Sequence, residues 1–310
     1  MRREGECAAG HGGRQALAAH HVGKTEGMAA KDPDEQATET TGAAGSDRDY
    51  VQSLDRGLAL LLAIDGEHPD PTLAELAQLT GFSRPAVRRF LITLERLGYV
   101  RAHGGRFSLT PRVLLIGQHY TESHALIGVA QPHLLQLAER TGESASLAVL
   151  DDAEVVYVAR VPVRRIMSIN VQIGTRIPAH ATSMGRVLLA WLPAAVVDDV
   201  LTRRPPVALT ANTITDGIAV RDALHLVREQ GWSIVSEELE PGLLSASAPV
   251  RDRSGTVVAA LATSTSTGRS NPDELQREVI PLLLETAGRI SSELGFGPAQ
   301  TRSTAYEGFY

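Results

Sequence analysis

The residues best suited to bind a polyanion are six arginines between positions 84 and 106. Glu95 is the only acidic residue in that stretch. Arginine offers a planar fork of N–H donors that pairs with phosphate oxygens, or with O6 and N7 of guanine. The chain has 310 residues and a formal charge of −6, so this basic stretch is a local feature.

The spacing of these arginines places several of them on the outer side of one predicted helix. With about 100° per residue, apolar residues at positions 87, 90, 91, 94 and 97 form its buried stripe. Arg89 and Arg96 point away from the stripe, and Arg88 lies on its flank. A solvated helix face usually mixes acidic and basic residues. This face carries arginines without acids in its first turns, which indicates a phosphate-binding surface.

The residues around this helix predict a winged helix-turn-helix. Thr72 and Glu75 have the spacing of a capping box, Gly81 ends that first helix, and Ser83 is placed to cap the second. Two short strands around a turn at 103–106 form the wing. The second helix of this motif enters the major groove, and the wing reaches a phosphate or the minor groove. The predicted DNA contacts are Ser83, Arg84, Pro85, Arg88, Arg89 and Arg106. A winged helix that binds protein is the alternative.

A second candidate site lies in the stretch GTRIPAHATSMGRVLLA, residues 174–190. Thr182 and Ser183 precede a predicted helix, whose free N–H groups and hydroxyls suit an anion such as a carboxylate. Gly185 allows close approach of a ligand or a strand, and Arg186 can pair with a carboxylate. An ordinary capped helix with a surface arginine is the alternative interpretation.

The remaining pattern predicts an α+β fold with an antiparallel sheet, because strands and helices are grouped and do not alternate. An early helix is expected to bury its leucines at 54, 58, 61 and 62, and two later helices are expected to be interrupted near Pro132. Residues 1–45 contain no Ile, Phe, Trp or Tyr and are expected to be disordered. The predicted strands include residues 166–174 (IMSINVQIG), and the closing helix covers 273–294.

Several classes of function are disfavoured by residues that the sequence lacks. Cys7 is the only cysteine, so neither an intramolecular disulfide nor a cysteine-based zinc site is expected. The histidines at 11, 20 and 21 lie in the predicted tail, and no metal or cofactor is expected. Neither a G-x-S-x-G elbow nor a phosphate-binding glycine loop is present, and His180 near Ser183 has no neighbouring acid. We expect a cytoplasmic protein without membrane association or catalytic residues. An enzyme with an accessory winged helix is the remote alternative.

Two motif-rich regions of the chain resemble the IclR family of transcriptional regulators. The first contains SLDRGLALLLAI and LAELAQLTGFSRPAVRRFLITLERLGYV, and the second contains PAHATSMGRVLLAWLP and GWSIVSEELEPGLLSASAPVRDRSGTVVAAL. The resemblance implies a winged helix-turn-helix, a linker helix and a GAF-like effector domain. It also implies a homodimer or tetramer that binds a palindromic operator in double-stranded DNA and responds to a small organic acid. The expected segments are a tail at 1–47, the DNA-binding domain at 48–110, the linker at 111–124, the effector domain at 125–298 and a tail at 299–310.

Within this family the closest resemblance is to the branch that governs aromatic-acid catabolism, through protocatechuate, 4-hydroxybenzoate and the β-ketoadipate pathway. Regulation of glyoxylate, acetate or glycerol metabolism is the alternative. Leu244 departs from that branch, since an arginine is expected at its position, but Leu244 is out of phase with the neighbouring serines along a strand. The resemblance places the effector pocket on Thr182, Ser183, Met184, Gly185, Arg186, Glu237, Ser245, Ser247, Thr263 and Ser264.

Overall fold

The computed structural model describes residues 50–123, 125–163 and 171–297. The predicted tails and their three histidines lie outside these ranges, as does most of the strand predicted at 166–174. Within the described ranges, no helix is long and apolar enough to cross a membrane. The two regions with family-like motifs form separate apolar cores and are described in turn.

The first region is a winged helix-turn-helix. Helices α1 (Gln52–Leu62), α2 (Leu73–Thr80) and α3 (Arg84–Arg96) precede strands β1 (Val100–His103) and β2 (Arg106–Leu109). The strands pair in antiparallel register, and His103 lies opposite Arg106 across a turn in which Gly104 and Gly105 both have positive φ. The core of this region consists of Leu60, Ile64, Leu76, Val87, Leu91, Leu94 and Val100.

The helix boundaries follow the local signals in the sequence. Thr72 Oγ1 accepts the Glu75 N–H at 3.3 Å, and the Glu75 carboxylate accepts the Thr72 N–H at 2.7 Å, which is a complete capping box. Gly98 has a φ of 81°, and the next N–H, of Tyr99, bonds to the Leu94 carbonyl at 2.9 Å, which ends α3 as predicted. Ser83 occupies the N-cap of α3, but its side chain makes no capping hydrogen bond, so that part of the prediction is wrong.

The prediction for the buried side of α1 is also wrong. Leu54, Leu58 and Leu62 are exposed to 62%, 48% and 79%, whereas Leu60 and Ile64 are buried. Leucines occur on two sides of this helix, and spacing alone does not identify the side that meets α2 and α3. In α3, Leu97 was expected in the core and is 52% exposed, because it follows the last helical residue.

The second region is built on one antiparallel sheet of six strands in the order β5-β4-β3-β8-β7-β6. The strands are β3 (Ser144–Asp151), β4 (Glu154–Val161), β5 (Arg176–Pro178), β6 (Ser233–Ser236), β7 (Leu243–Arg251) and β8 (Val257–Ser266). The helices are α4 (Leu114–Ser123), α5 (Ala125–Thr141), α6 (Ser183–Ala190), α7 (Ala194–Arg203), α8 (Gly217–Gln230), α9 (Pro272–Glu274) and α10 (Ile280–Glu293). A π-helical segment, Leu275–Val279, joins α9 to α10.

Two apolar clusters lie on opposite faces of this sheet. Side chains from α5 and α10 cover one face, together with sheet residues such as Leu147 and Leu261. Side chains from α6, α7 and α8 cover the other face, together with Ala148, Tyr157 and Ala262. We call this second surface the α6 face. The predicted α+β class with an antiparallel sheet is confirmed.

The predicted helix interruption at Pro132 does not occur. Helix α5 continues from Ala125 to Thr141 with Pro132 inside it. A proline in a helix interior removes one backbone hydrogen bond and crowds the preceding turn. Four residues of α5 are nevertheless buried, Ala130, Leu134, Leu137 and Ala138, and their packing offsets that cost.

Candidate functional sites

The arginines of α3 form an exposed basic surface. Arg84, Arg88, Arg89 and Arg96 are all exposed, while Val87, Leu91 and Leu94 on the other side are buried. Within the described ranges, no carboxylate lies within ion-pair distance of these four arginines. Ser83 and Pro85 are exposed at the same end of the helix. The predicted contacts on α3 therefore share one surface with uncompensated positive charge.

Arg106 was expected to point from the wing toward DNA, and its guanidinium instead contacts other residues of the protein. One guanidinium nitrogen donates to the Asp70 carbonyl at 2.9 Å, and it lies 4.0 Å from carboxylate oxygens of Asp70 and Glu75. An isolated bridge between Thr72 and Arg106 attaches the wing to the residues that precede α2. Arg106 thus fixes the wing against the capping box of α2. The side chain remains half exposed, so a DNA contact stays a prediction.

The start of α6 brings two predicted effector residues into contact. Thr182 Oγ1 accepts the Gly185 N–H at 3.0 Å and so caps the helix. The Ser183 hydroxyl donates to Ser245 Oγ at 3.1 Å, although 62 residues separate them in the chain. This contact fixes the beginning of α6 over β7. Met184 is only 4% exposed and belongs to the apolar cluster beneath α6.

Gly185 is required by the backbone rather than by a ligand. A Cβ atom at this position would lie 2.0 Å from the carbonyl oxygen of Ala179. Ala179 belongs to the 3-10 turn Ala179–Ala181, which packs directly against α6. The expected close approach therefore exists, but its partner is the preceding turn of the chain.

The guanidinium of Arg186 is neutralised inside the protein, which corrects its predicted role. It donates to Glu238 Oε2 at 2.6 Å, and both side chains are less than a tenth exposed. The same carboxylate oxygen accepts the Ile214 N–H at 3.1 Å. Arg186 therefore ties α6 to two loops, and its charge is not free for a ligand carboxylate.

Glu237 is likewise a structural residue of the turn between β6 and β7. Its φ is 57°, its N–H donates to the Leu243 carbonyl, and its carboxylate accepts the Gly242 N–H at 2.8 Å. The acid that reaches α6 is the next residue, Glu238. Sequence reasoning missed this pair because adjacent glutamates carry no local signal of which one is buried.

The sheet register separates the remaining predicted effector residues. Ser245 lies opposite Ser264, and Ser247 lies opposite Ala262, all on the α6 face. Thr263 lies opposite Ala246 and points to the face covered by α5 and α10, so its grouping with Ser264 is wrong. Neighbouring residues of a strand point to opposite faces. Leu244 is fully buried on that same opposite face, in agreement with the predicted phase.

Two residues of β4 on the α6 face were missed by sequence reasoning. Leu147 pairs with Ala159, but the next residue, Ala148, pairs with Tyr157, so β4 contains one extra residue. This β-bulge turns both Tyr157 and Arg160 toward the α6 face, although residues three apart usually point to opposite faces. Burial raises the pKa of Tyr157 to about 12 and lowers the pKa of Arg160. A bulge has no signature in the alternating sequence VVYVARV.

The arrangement around His180 and Ser183 does not resemble a catalytic pair. His180 Nε2 bonds to the Val207 carbonyl at 3.1 Å, and the Ser183 hydroxyl donates to Ser245. Burial lowers the pKa of His180. Among the described residues, no group of three or more His, Cys, Asp or Glu side chains is placed to hold a metal ion.

Comparison with known proteins assigns both regions. Residues 53–104 match the IclR helix-turn-helix domain, and residues 118–292 match the C-terminal domain of the bacterial transcriptional regulator IclR. The Pca regulon regulatory protein of Pseudomonas putida is 38% identical over 249 residues, which cover 80% of this chain and 86% of that protein. The p-hydroxybenzoate hydroxylase transcriptional activator of Acinetobacter baylyi is 38% identical over 247 residues, with 78% and 91% covered.

A solved structure provides a comparison with a bound acid. It contains a double mutant of the PobR inducer-binding domain from Acinetobacter in complex with 3-hydroxybenzoic acid. That domain is 36% identical to this chain, with a TM-score of 0.51, and the match covers 53% of this chain and 97% of the domain.

Proposed function

The chain belongs to the IclR family of bacterial transcriptional regulators, and from this premise we propose that it regulates aromatic-acid catabolism in response to an aromatic carboxylate. It binds DNA through its helix-turn-helix domain, as the family does. The proposed pathway rests on two relatives that regulate the Pca regulon and p-hydroxybenzoate hydroxylase. The proposed effector class rests on the inducer-binding domain that holds 3-hydroxybenzoic acid.

We place the DNA-binding surface on α3 because this helix exposes a row of arginines that have no acidic partner among the described residues. Arg84, Arg88 and Arg89 lie in the first turns of the second helix of the motif, where base contacts are usually made. Several arginines without a neighbouring acid suit the regularly spaced phosphates of DNA. We therefore assign Ser83, Arg84, Pro85, Arg88 and Arg89 to operator contacts.

The effector site is proposed on the α6 face of the sheet. Ser183 and Ser245 meet there, and Ser247 and Ser264 lie on the same face of neighbouring strands. Hydroxyls on a rigid sheet can orient a small polar molecule without a metal or cofactor. Thr182, Gly185, Arg186 and Glu237 are reassigned to support of this face. Thr263 is left out, because its side chain lies on the opposite face.

The proposal assigns residues 48–110 to DNA binding, 111–124 to the linker and 125–298 to effector binding. It further includes a homodimer or a tetramer that binds a palindromic operator in the cytoplasm. A dimer presents two recognition helices to successive major grooves. Support for self-association comes from the apolar side of α1, where three leucines are exposed in the single chain.

The direct test combines operator binding with effector binding on the full chain. Fluorescence anisotropy measures binding to a DNA fragment from the promoter region of the gene that encodes the protein. The measurement is repeated with 3-hydroxybenzoate, 4-hydroxybenzoate or protocatechuate present, so that it reports operator binding and the response to the effector. We expect salt-dependent DNA binding that changes when one of these acids is added. Pyruvate and glyoxylate serve as controls. A response to the two keto acids alone would contradict the aromatic branch and leave the protein in the family.

The hydroxyl contact at the start of α6 provides a variant for the same assay. Ser183→Ala removes the hydroxyl that bonds to Ser245 and adds no bulk to a side chain that is 1% exposed. We expect a weaker effector response with unchanged DNA binding in the absence of acid. An unaltered response would remove Ser183 from the site.

A further inference from the structure

We propose that Arg160 anchors the carboxylate of the effector, an assignment that rests on the effector function proposed above. Neither the sequence motifs nor the comparisons assign a role to this residue. It lies on β4, outside the predicted set of effector residues, and it faces the α6 side because the β-bulge absorbs one extra residue between it and Tyr157.

The position of Arg160 follows from the register of four strands. Arg160 lies opposite Ser146 on β3, Ser146 lies opposite Ala262 on β8, and Ala262 lies opposite Ser247 on β7. Side chains paired across antiparallel strands share one face, and adjacent strands are about 4.7–4.9 Å apart. One row on the α6 face therefore begins at an arginine and continues through small side chains to a predicted effector serine.

The charge of Arg160 is not compensated in the part of the chain that the structure describes. Its Nε atom is buried and has no hydrogen-bond partner. No described carboxylate forms an ion pair with its guanidinium, and the residue as a whole is half-buried. A desolvated cation is unfavourable unless it is paired. A ligand carboxylate would supply both the opposite charge and the missing acceptor.

Arg186, the arginine predicted for this role, is already occupied. Its guanidinium is held by Glu238 at 2.6 Å inside the protein. The Gly185 N–H at the start of α6 is also occupied, since Thr182 Oγ1 accepts it. An incoming carboxylate would have to displace these partners, whereas it could approach Arg160 without breaking an existing bond.

The surroundings of Arg160 favour a small hydroxylated acid. The neighbouring side chains in its row are serine and alanine, which add hydroxyls but little bulk. Tyr157, the other residue that the bulge turns toward this face, has its pKa raised to about 12 and stays a protonated phenol at neutral pH. A phenol donates a hydrogen bond to an acceptor on the ligand. These side chains thus suit an aromatic acid whose carboxylate binds Arg160 and whose polar ring substituents contact the hydroxyls of the neighbouring serine and tyrosine side chains.

The test removes the negative charge of the ligand and the positive charge of Arg160 separately, and it compares the binding affinities. Isothermal titration calorimetry of the full chain uses 3-hydroxybenzoate, 4-hydroxybenzoate and protocatechuate, the neutral analogue 4-hydroxybenzamide, and pyruvate. The variants are Arg160→Met, Arg160→Lys and, as a control, Arg253→Met. Arg253 is an exposed arginine in the turn between β7 and β8, without an ion pair among the described residues.

We expect Arg160→Met to raise the dissociation constant for the carboxylates by about tenfold to a hundredfold, because the loss of a hydrogen bond to a charged group weakens binding by about that factor. Binding of 4-hydroxybenzamide should change little, and Arg160→Lys should recover part of the loss. Thermal unfolding without ligand should be unchanged or shifted upward in Arg160→Met, since an unpaired buried charge is removed. A purely structural arginine would shift it downward.

Each other outcome has a distinct meaning. Wild-type affinity of Arg160→Met for the acids would overturn the assignment of Arg160 while leaving the proposed function intact. Binding of pyruvate alone, lost in Arg160→Met, would overturn the aromatic effector and support Arg160 as the anchor. Absence of binding by every acid to the wild-type protein would overturn both.

Discussion

At the scale of single residues, the structure separates arginines that are free from arginines that are occupied. The arginines of α3 are exposed and unpaired within the described ranges, whereas Arg106 and Arg186 have internal partners. Sequence analysis grouped all of them as candidate contacts, because arginine in the sequence carries no information about its neighbours. Only the distribution of carboxylates in space distinguishes a binding arginine from a structural one.

Replacement of Arg88 or Arg89 by alanine should weaken operator binding. A base contact by arginine is worth about 1–3 kcal/mol, and its loss also relaxes sequence preference. Competition mobility-shift assays at several salt concentrations measure both effects. Arg277→Ala is the matched control, since Arg277 is exposed in the π-helical segment and far from the motif in sequence. Equal affinities of all three variants and the wild type would refute the recognition-helix assignment.

The ion pair between Arg186 and Glu238 leads to a prediction about stability. Removal of one partner of a buried pair leaves an uncompensated charge and costs about 3–5 kcal/mol. We expect Glu238→Ala to lower the free energy of unfolding by that order, as measured by urea denaturation. The double variant Arg186→Met/Glu238→Leu should be clearly more stable than Glu238→Ala. If the double variant is no more stable than Glu238→Ala, these two side chains stabilise the loops by packing and hydrogen bonding and not by their opposite charges.

At the scale of elements, α6 depends on the absence of one side chain. A Cβ on Gly185 would overlap the Ala179 carbonyl oxygen at 2.0 Å, and the obstacle is backbone that cannot rotate away. Gly185→Ala should therefore destabilise the protein by several kcal/mol, of the order of other severe steric changes. Gly128→Ala, within α5, meets no atom within 4 Å and should be neutral or stabilising by about 0.5–1 kcal/mol. The midpoint of thermal unfolding should fall for Gly185→Ala and should stay the same or rise for Gly128→Ala.

The elements also mark the limit of what the sequence could predict. The capping box at Thr72, the glycine at position 98 and the turn at 103–106 were foreseen, because each depends on residues a few positions apart. The strand phase of Ser245, Ser247 and Leu244 was foreseen for the same reason. The buried side of α1, the continuous helix through Pro132 and the placement of Thr263 depend on packing between distant segments. The bulge in β4 was missed because it exists only relative to β3.

At the scale of the whole molecule, self-association is the main prediction. Leu58 and Leu62 are exposed to 48% and 79% on α1, an unusual position for apolar side chains of a short amphipathic helix. Sedimentation velocity at micromolar concentration should show a dimer for the wild type and a monomer for Leu58→Asp/Leu62→Asp. The monomeric variant should lose affinity for a palindrome more than for a half-site.

The control for that experiment is Leu226→Asp. Leu226 is 53% exposed on α8, so it tests the same change of side chain in the effector region. It should leave the sedimentation coefficient of the dimer unchanged. A monomeric wild type, free and on DNA, would contradict the proposed assembly without affecting the fold.

The extra residue of β4 links the length of a strand to the charge of a binding surface. Alternation along a strand has a period of two, so one extra residue inverts the face of everything beyond it unless a β-bulge absorbs that residue. Deletion of Val158 would leave Tyr157 and Arg160 two residues apart, so regular pairing with β3 would keep both on the α6 face, opposite Ala148 and Ser146. Among related sensors, loss of a single codon at this position would thus preserve the charged recognition surface, whereas a further inserted codon that no bulge absorbs would turn Arg160 away from it.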